Sequence, residues 1–151
     1  MKKTVLPAIL ITIVMVLSAQ TGAYDITYDE PIDSVIDKLI ESDFTLAGLG
    51  CTSYVFSHES TEEETTVYVY VDPDDDTVVM WVIFLLIYEG IEDDVTDWMV
   101  SLHGDDMSYV DSESALIWTF SPTRWLQVGY DDSEEYVRIA YYNEEYLYLM
   151  E

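Results

Sequence analysis

The fold of this chain is decided by residues 67–88, which read VYVYVDPDDDTVVMWVIFLLIY. Valines alternate with tyrosines over 67–71, and this alternation predicts a strand with two different faces, because successive strand side chains point to opposite sides. The acidic stretch 72–76, which contains Pro73, predicts a turn. The apolar run 78–88 is too short to cross a membrane as a helix, so it predicts a long strand covered on both sides.

Two amphipathic helices are expected from apolar residues at helical spacing. The first occupies 32–40 after Pro31, and the second covers 95–102 with Asp93 or Asp94 as its N-cap. Further strands are expected at 52–58, 115–120, 125–130 and 136–142. The last residues, 144–151, fit either a strand or a short helix.

These elements predict one α+β domain with two layers, an antiparallel sheet of about six strands with two helices on one face. Both halves of the chain, 30–90 and 91–151, read helix, strand, strand, strand, so a tandem αβββ repeat is one interpretation. The other is that an ordinary α+β chain shows this order without any repeat. The layout resembles the tandem-unit fold of β-lactamase inhibitory protein, and also the YbjN and type III secretion chaperone-like folds. No residue motif accompanies either resemblance, so each implies a layout and no site residues.

Residues 1–23 predict a secretory signal peptide. Two lysines at the start, an apolar core at 5–17 and small residues at 21–23 follow the order of such a signal, with cleavage expected before Tyr24. The apolar core is well short of the ~20 residues that span a bilayer. The remaining chain, 24–151, is then a single acidic domain that is exported to the extracellular space or the cell envelope.

The charge of this domain limits its partners. Three basic residues, Lys38, Arg124 and Arg138, stand against all 31 acidic residues, so the formal net charge is 3 minus 31, or −28. This charge repels phosphate backbones and excludes nucleic acid, and it suits a basic protein or peptide as partner. A high-salt habitat would also explain it. The 13 tyrosines and 4 tryptophans argue for a folded core, because disordered chains are poor in aromatic residues.

Asp72, Asp74 and Asp76 are weak candidates for calcium, because alternate carboxylates open a calcium-binding loop. Such a loop needs glycine at its sixth position and glutamate at its twelfth, where this chain has Thr77 and Ile83. The stretch therefore predicts an acidic turn with at most weak Ca²⁺ binding, and no resident cofactor is expected.

Other candidate chemistry is sparse. Cys51, His58 and His103 are too scattered for a zinc site, and His103 suits the C-terminal end of a helix as a cation. Ser57 and Glu59 flank His58 on one strand, where neighbours point apart and do not form a catalytic relay. No catalytic residue is assigned, and whether the chain is an enzyme stays open, with a non-catalytic role favoured.

Tyr68 and Tyr70 are the candidate partner-binding residues, because they project from one face of their strand and tyrosine is favoured in interfaces. Acidic turns at 59–64, 72–76 and 131–135 are expected around them. The expected function is a non-catalytic binding or protein-interaction module of the cell envelope. The alternatives are a secreted hydrolase using carboxylate chemistry and a cation-dependent structural protein, and the tyrosines fit simple cover for a half-exposed sheet as well.

Overall fold

The computed structural model describes residues 21–60, 64–130 and 135–151. The expected signal peptide lies outside these residues except for 21–23, and so do parts of the expected acidic turns at 59–64 and 131–135. Within the described residues no helix is long and apolar enough to cross a membrane.

Two α-helices and eight strands make up the regular structure of the described chain. In order they are α1 (Ile32–Glu41), β1 (Thr45–Leu49), β2 (Ser53–Glu59), β3 (Glu64–Val71), β4 (Val78–Leu86), α2 (Ile91–His103), β5 (Ser108–Val110), β6 (Ala115–Thr119), β7 (Arg124–Gly129) and β8 (Tyr136–Asn143). Three 3-10 segments complete it, at Ala23–Asp25, Asp111–Glu113 and Glu144–Met150. The last of these is called the C-terminal 3-10 helix below.

All of the described strands belong to one antiparallel sheet in the order β1-β2-β3-β4-β8-β7-β6-β5. Each half of the chain contributes one α-helix followed by four strands, and the halves meet where β4 pairs with β8, with Ile83 opposite Ile139. The prediction of an α+β fold with an antiparallel sheet is confirmed. The expected number of about six strands is too low, and the order of elements in each half is αββββ rather than αβββ.

The two strands missing from the prediction are the edge strands. β1 is mostly exposed and its register slips between Leu46 and Gly48, and β5 has only three residues. Neither presents the alternation of buried and exposed residues that marks a strand in sequence.

Both α-helices pack on the same face of the sheet, called the helix face. Val67, Val69 and Val71 point to this face and are buried in one cluster with Val35 of α1 and Val95 of α2. The two helices therefore cover the valine side of β3, opposite Tyr68 and Tyr70.

Helix α2 begins earlier than predicted. Gly90 is its N-cap, in a left-handed conformation with φ 89°, and the helix starts at Ile91. Asp93 and Asp94, the expected caps, lie in its first turn, where carboxylates interact favourably with the helix dipole. Glycine adopts a positive φ without steric cost, so it supplies the sharp entry to the helix.

An irregular N-terminal segment also belongs to the core. Ala23, Ile26 and Tyr28 are buried on the helix face, although their sequence lacks any periodic pattern. The Ala23 N–H donates to the Tyr141 hydroxyl at 3.0 Å, and Tyr141 stacks on Trp81 with ring centroids 4.3 Å apart. The segment is thus tied to the middle strands β4 and β8.

The opposite face of the sheet, called the second face, is partly covered by the C-terminal 3-10 helix. Tyr146 and Leu149 of this helix pack against a small cluster that includes Met80 and Val82 of β4. Strand β4 is therefore buried on both sides over much of its length, as its apolar run predicts. Of the ambiguous residues 144–151, the segment Glu144–Met150 is helical.

Candidate binding surface

The second face displays the two candidate tyrosines. Alternation along β3 places Tyr68 and Tyr70 opposite the buried valines of that strand, and both tyrosines are half-buried. Antiparallel pairing then sets Tyr68 beside Val82 and Tyr70 beside Met80. Both rings pack against the buried cluster that holds these two residues, and of the two tyrosines Tyr68 lines a depression.

Tyr68 lines an open depression of about 290 Å³, together with Thr66, Phe84 and Tyr136. The rings meet edge to face, with centroid separations of 5.8 Å between Tyr68 and Phe84 and 6.5 Å between Phe84 and Tyr136. Edge-to-face contacts of this kind stabilise aromatic clusters. These four residues are called the aromatic depression.

Tyr70 does not line the aromatic depression. Like Tyr68, it packs against the buried cluster that holds Met80 and Tyr142. Burial is the main cause that raises the pKa of Tyr70, with smaller contributions from Tyr68 and Tyr142. The two candidate tyrosines therefore share this packing, and they differ in that Tyr68 lines the depression.

Both signs of charge border the aromatic depression. Glu64 accepts a hydrogen bond from the Tyr136 hydroxyl at 3.5 Å, and its charge raises the pKa of Tyr136. Arg138 of β8 lies opposite Phe84 in the register and makes no ion pair with a described residue. By contrast, Lys38 and Arg124 are paired with Glu30 and Asp29 at 2.7 and 2.8 Å.

The calcium candidates form the tight turn between β3 and β4. The Asp72 carboxylate accepts hydrogen bonds from the Asp74 N–H at 2.8 Å and from the Tyr146 hydroxyl at 2.5 Å. These bonds lower the pKa of Asp72, with Tyr146 as the larger cause. The Asp76 N–H donates to the Asp72 carbonyl at 3.0 Å, which closes the turn.

Metal ligands do not converge here. In the ranges that the structure describes, no three His, Cys, Asp or Glu side chains come together as a possible metal site. Cys51 is exposed, and the ring centroids of His58 and Phe44 are 5.5 Å apart.

His103 differs from its predicted role as a helix-terminal cation. Its Nε2 atom lies 2.8 Å from the Tyr141 hydroxyl, and burial lowers its pKa to about 4. The ring is therefore neutral at pH 7, and it serves as a packing and hydrogen-bonding group on the helix face.

The sequence analysis proposes neither Phe84 nor Tyr136 as a binding residue, although the position of Phe84 follows from the predicted hairpin. An antiparallel hairpin with a turn at 72–76 places the even-numbered residues of β4 on the same face as Tyr68. Tyr136 follows from the pairing of β4 with β8, a contact between the two halves of the chain that local patterns do not specify.

The comparisons with known proteins identify no relatives. No protein-family model matches the chain, and neither a curated protein nor a solved structure shows significant similarity to it.

Proposed function

We propose that this chain is an exported, non-catalytic binding module of the cell envelope and that the aromatic depression is its contact surface. The observation that carries the proposal is the open, ring-lined part of the second face at Thr66, Tyr68, Phe84 and Tyr136. Half-buried aromatic rings on a rigid sheet offer contact area at low entropic cost. The C-terminal 3-10 helix leaves this part of the face accessible.

The partner that suits this surface is a basic protein or peptide. A net charge of −28 over residues 24–151 attracts cations at long range and accelerates encounter. Glu64 at the rim supplies a carboxylate for a lysine or arginine of the partner. A glycan stacking on the same rings is the competing ligand, and it would depend on the rings but much less on the charge.

A library of displayed peptides, selected on the folded protein, provides a defined probe for this surface. We expect selected peptides to be rich in lysine, arginine and aromatic residues. Tyr68→Ser is expected to weaken their binding about tenfold, because buried tyrosines contribute ~1.5 kcal/mol or more at interface centres.

Two control variants make the test specific. Tyr109→Ser removes a tyrosine of β5 that is 59% exposed and lies outside the aromatic depression, so it is expected to leave binding unchanged. Tyr70→Ser removes a tyrosine from the same face of β3 that does not line the aromatic depression, so it is expected to weaken binding less than Tyr68→Ser. Equal binding by the wild type and the Tyr68 variant, with folding intact, would refute this contact surface.

A further inference from the structure

A second cavity lies on the helix face, between α2 and the ends of β3 and β4. It encloses about 170 Å³, and its lining combines three aromatic rings with two carboxylates and apolar floor residues. The rings are Tyr24, Tyr88 and Trp98, and the carboxylates are Glu64 and Asp94. We call it the helix-side cavity.

The aromatic walls are held in place by their neighbours. The Tyr24 and Trp98 rings meet at 71° with centroids 5.5 Å apart, and Tyr24 also contacts Phe44 at 5.0 Å. The Tyr88 hydroxyl donates to Oδ2 of Asp94 at 2.8 Å, which links a ring wall to a carboxylate. The walls therefore need little rearrangement to receive a ligand.

The backbone at Tyr24 is unusual as well. Tyr24 and Asp25 both have a positive φ, 59° and 57°, although neither is glycine. Such conformations are uncommon for side chains of this size and concentrate at functional positions. Here the conformation directs the Tyr24 ring to the cavity and to Trp98.

The charge around the cavity has one sign. The charged residues that line the helix-side cavity are Glu64 and Asp94. Lys38 lines the neighbouring cavity, and its ammonium group donates to Glu30 and to the Asp25 carbonyl at 2.7 Å each. Aromatic faces attract cations through their quadrupole, and carboxylates add to this attraction. Both carboxylates are exposed.

We propose that the helix-side cavity binds the head group of a small quaternary ammonium compound. A quaternary nitrogen has no N–H to donate, so its recognition depends on aromatic faces and on charge, which are the groups this cavity offers. The volume is below the ~300 Å³ at which pockets begin to hold drug-sized ligands, and it suits a compact head group. The cavity shares Glu64 with the rim of the aromatic depression, but its aromatic rings and Asp94 are separate from that depression.

The test is a titration of the folded chain with choline at constant ionic strength, followed through the indole N–H signals in nitrogen-15 NMR spectra. We expect saturable binding with the largest shifts at Trp98. Dimethylbutanol, the uncharged analogue of choline in which carbon replaces nitrogen, is expected to bind at least about fivefold more weakly.

Variants locate the site and separate it from general attraction to an acidic protein. Trp98→Leu and Asp94→Asn are each expected to weaken choline binding about fivefold. Asp97→Asn removes the same charge from an exposed position on the same helix outside the cavity, and it is expected to change binding little.

Four outcomes would overturn the proposal. The first is equal binding of choline and dimethylbutanol, and the second is an equal loss of binding in the Asp94 and Asp97 variants. The third is tighter binding of ethylammonium than of choline, which would assign the cavity to a primary amine such as a lysine side chain. Absence of saturable binding to choline also overturns it.

Discussion

Removal of residues 21–23 is expected to destabilise the domain, although the sequence analysis predicts export cleavage directly after them. Ala23 is fully buried, and its N–H donates to the Tyr141 hydroxyl at 3.0 Å. The Gly22 N–H donates to the Ile26 carbonyl at 2.8 Å. The packing therefore favours a cleavage site upstream of Gly22, where Ala19 offers another small residue.

The expected magnitude follows from these contacts. Two lost hydrogen bonds cost about 1 kcal/mol each, and loss of the buried Ala23 methyl adds about 0.8 kcal/mol. The sum is about 3 kcal/mol, a large share of the 5–15 kcal/mol that is typical of a domain. At roughly 4 °C per kcal/mol for this chain length, the melting temperature should fall by roughly 12 °C.

The assay compares chains that begin at Thr21 and at Tyr24 by thermal and urea unfolding, together with mass spectrometry of the exported protein. Gly22→Ala is a second probe, because its Cβ would meet Trp81 Cζ2 and Tyr141 Cε1 at 2.6 Å, and overpacking of this kind costs about 1–3 kcal/mol. Gly48→Ala, whose Cβ would meet only ordinary contacts from 3.4 Å, is the matched control. Equal stability of the two chains, with an exported product that starts at Tyr24, would refute the reasoning.

Two further predictions concern pH and salt. Burial lowers the pKa of His103 to about 4, below its ordinary 6.5, so the unfolded chain binds more protons between these values and stability should fall as pH drops from 6.5 to 4. Unfolding measured across this window should show a smaller slope in His103→Gln, and an unchanged slope would contradict the assignment. With a charge of −28 over residues 24–151, the melting temperature should rise most steeply between 0.01 and 0.1 M salt, where the Debye length falls from ~30 to ~10 Å. A melting temperature that is flat over this range in calorimetry would exclude self-repulsion as a major destabilising term.

The central strands could be predicted from sequence because their burial leaves a local signature. The alternation at 67–71 specified the two faces of β3, and the apolar run after the turn specified a strand covered on both sides. The edge strands β1 and β5 leave no such signature. β1 is mostly exposed and its register slips, and β5 has only three residues, so neither has a buried face that would give an alternating pattern in the sequence.

The distinction between Tyr68 and Tyr70 was beyond local sequence patterns. Both occupy the same face of β3 and pack against the same buried cluster, and they differ in that Tyr68 lines the aromatic depression. The C-terminal 3-10 helix is fixed over the second face by Tyr146, whose hydroxyl donates to Asp72 across 74 positions of sequence. This bond raises the pKa of Tyr146 to about 12. It also occupies the carboxylate of Asp72, which the sequence analysis names as a weak calcium candidate.

The N-terminal segment connects the processing of the chain with the helix-side cavity. Tyr24 forms a wall of that cavity, and its left-handed backbone follows directly after the anchored Ala23. A chain cut before Tyr24 would lose this anchor and would carry a positive α-amino group on the residue that lines the cavity. Because that group is itself an ammonium cation on a residue that lines the cavity, it would compete with a quaternary ammonium ligand for the negative charge of the lining. Upstream processing is therefore the condition under which the folded core and the proposed cation site are both complete.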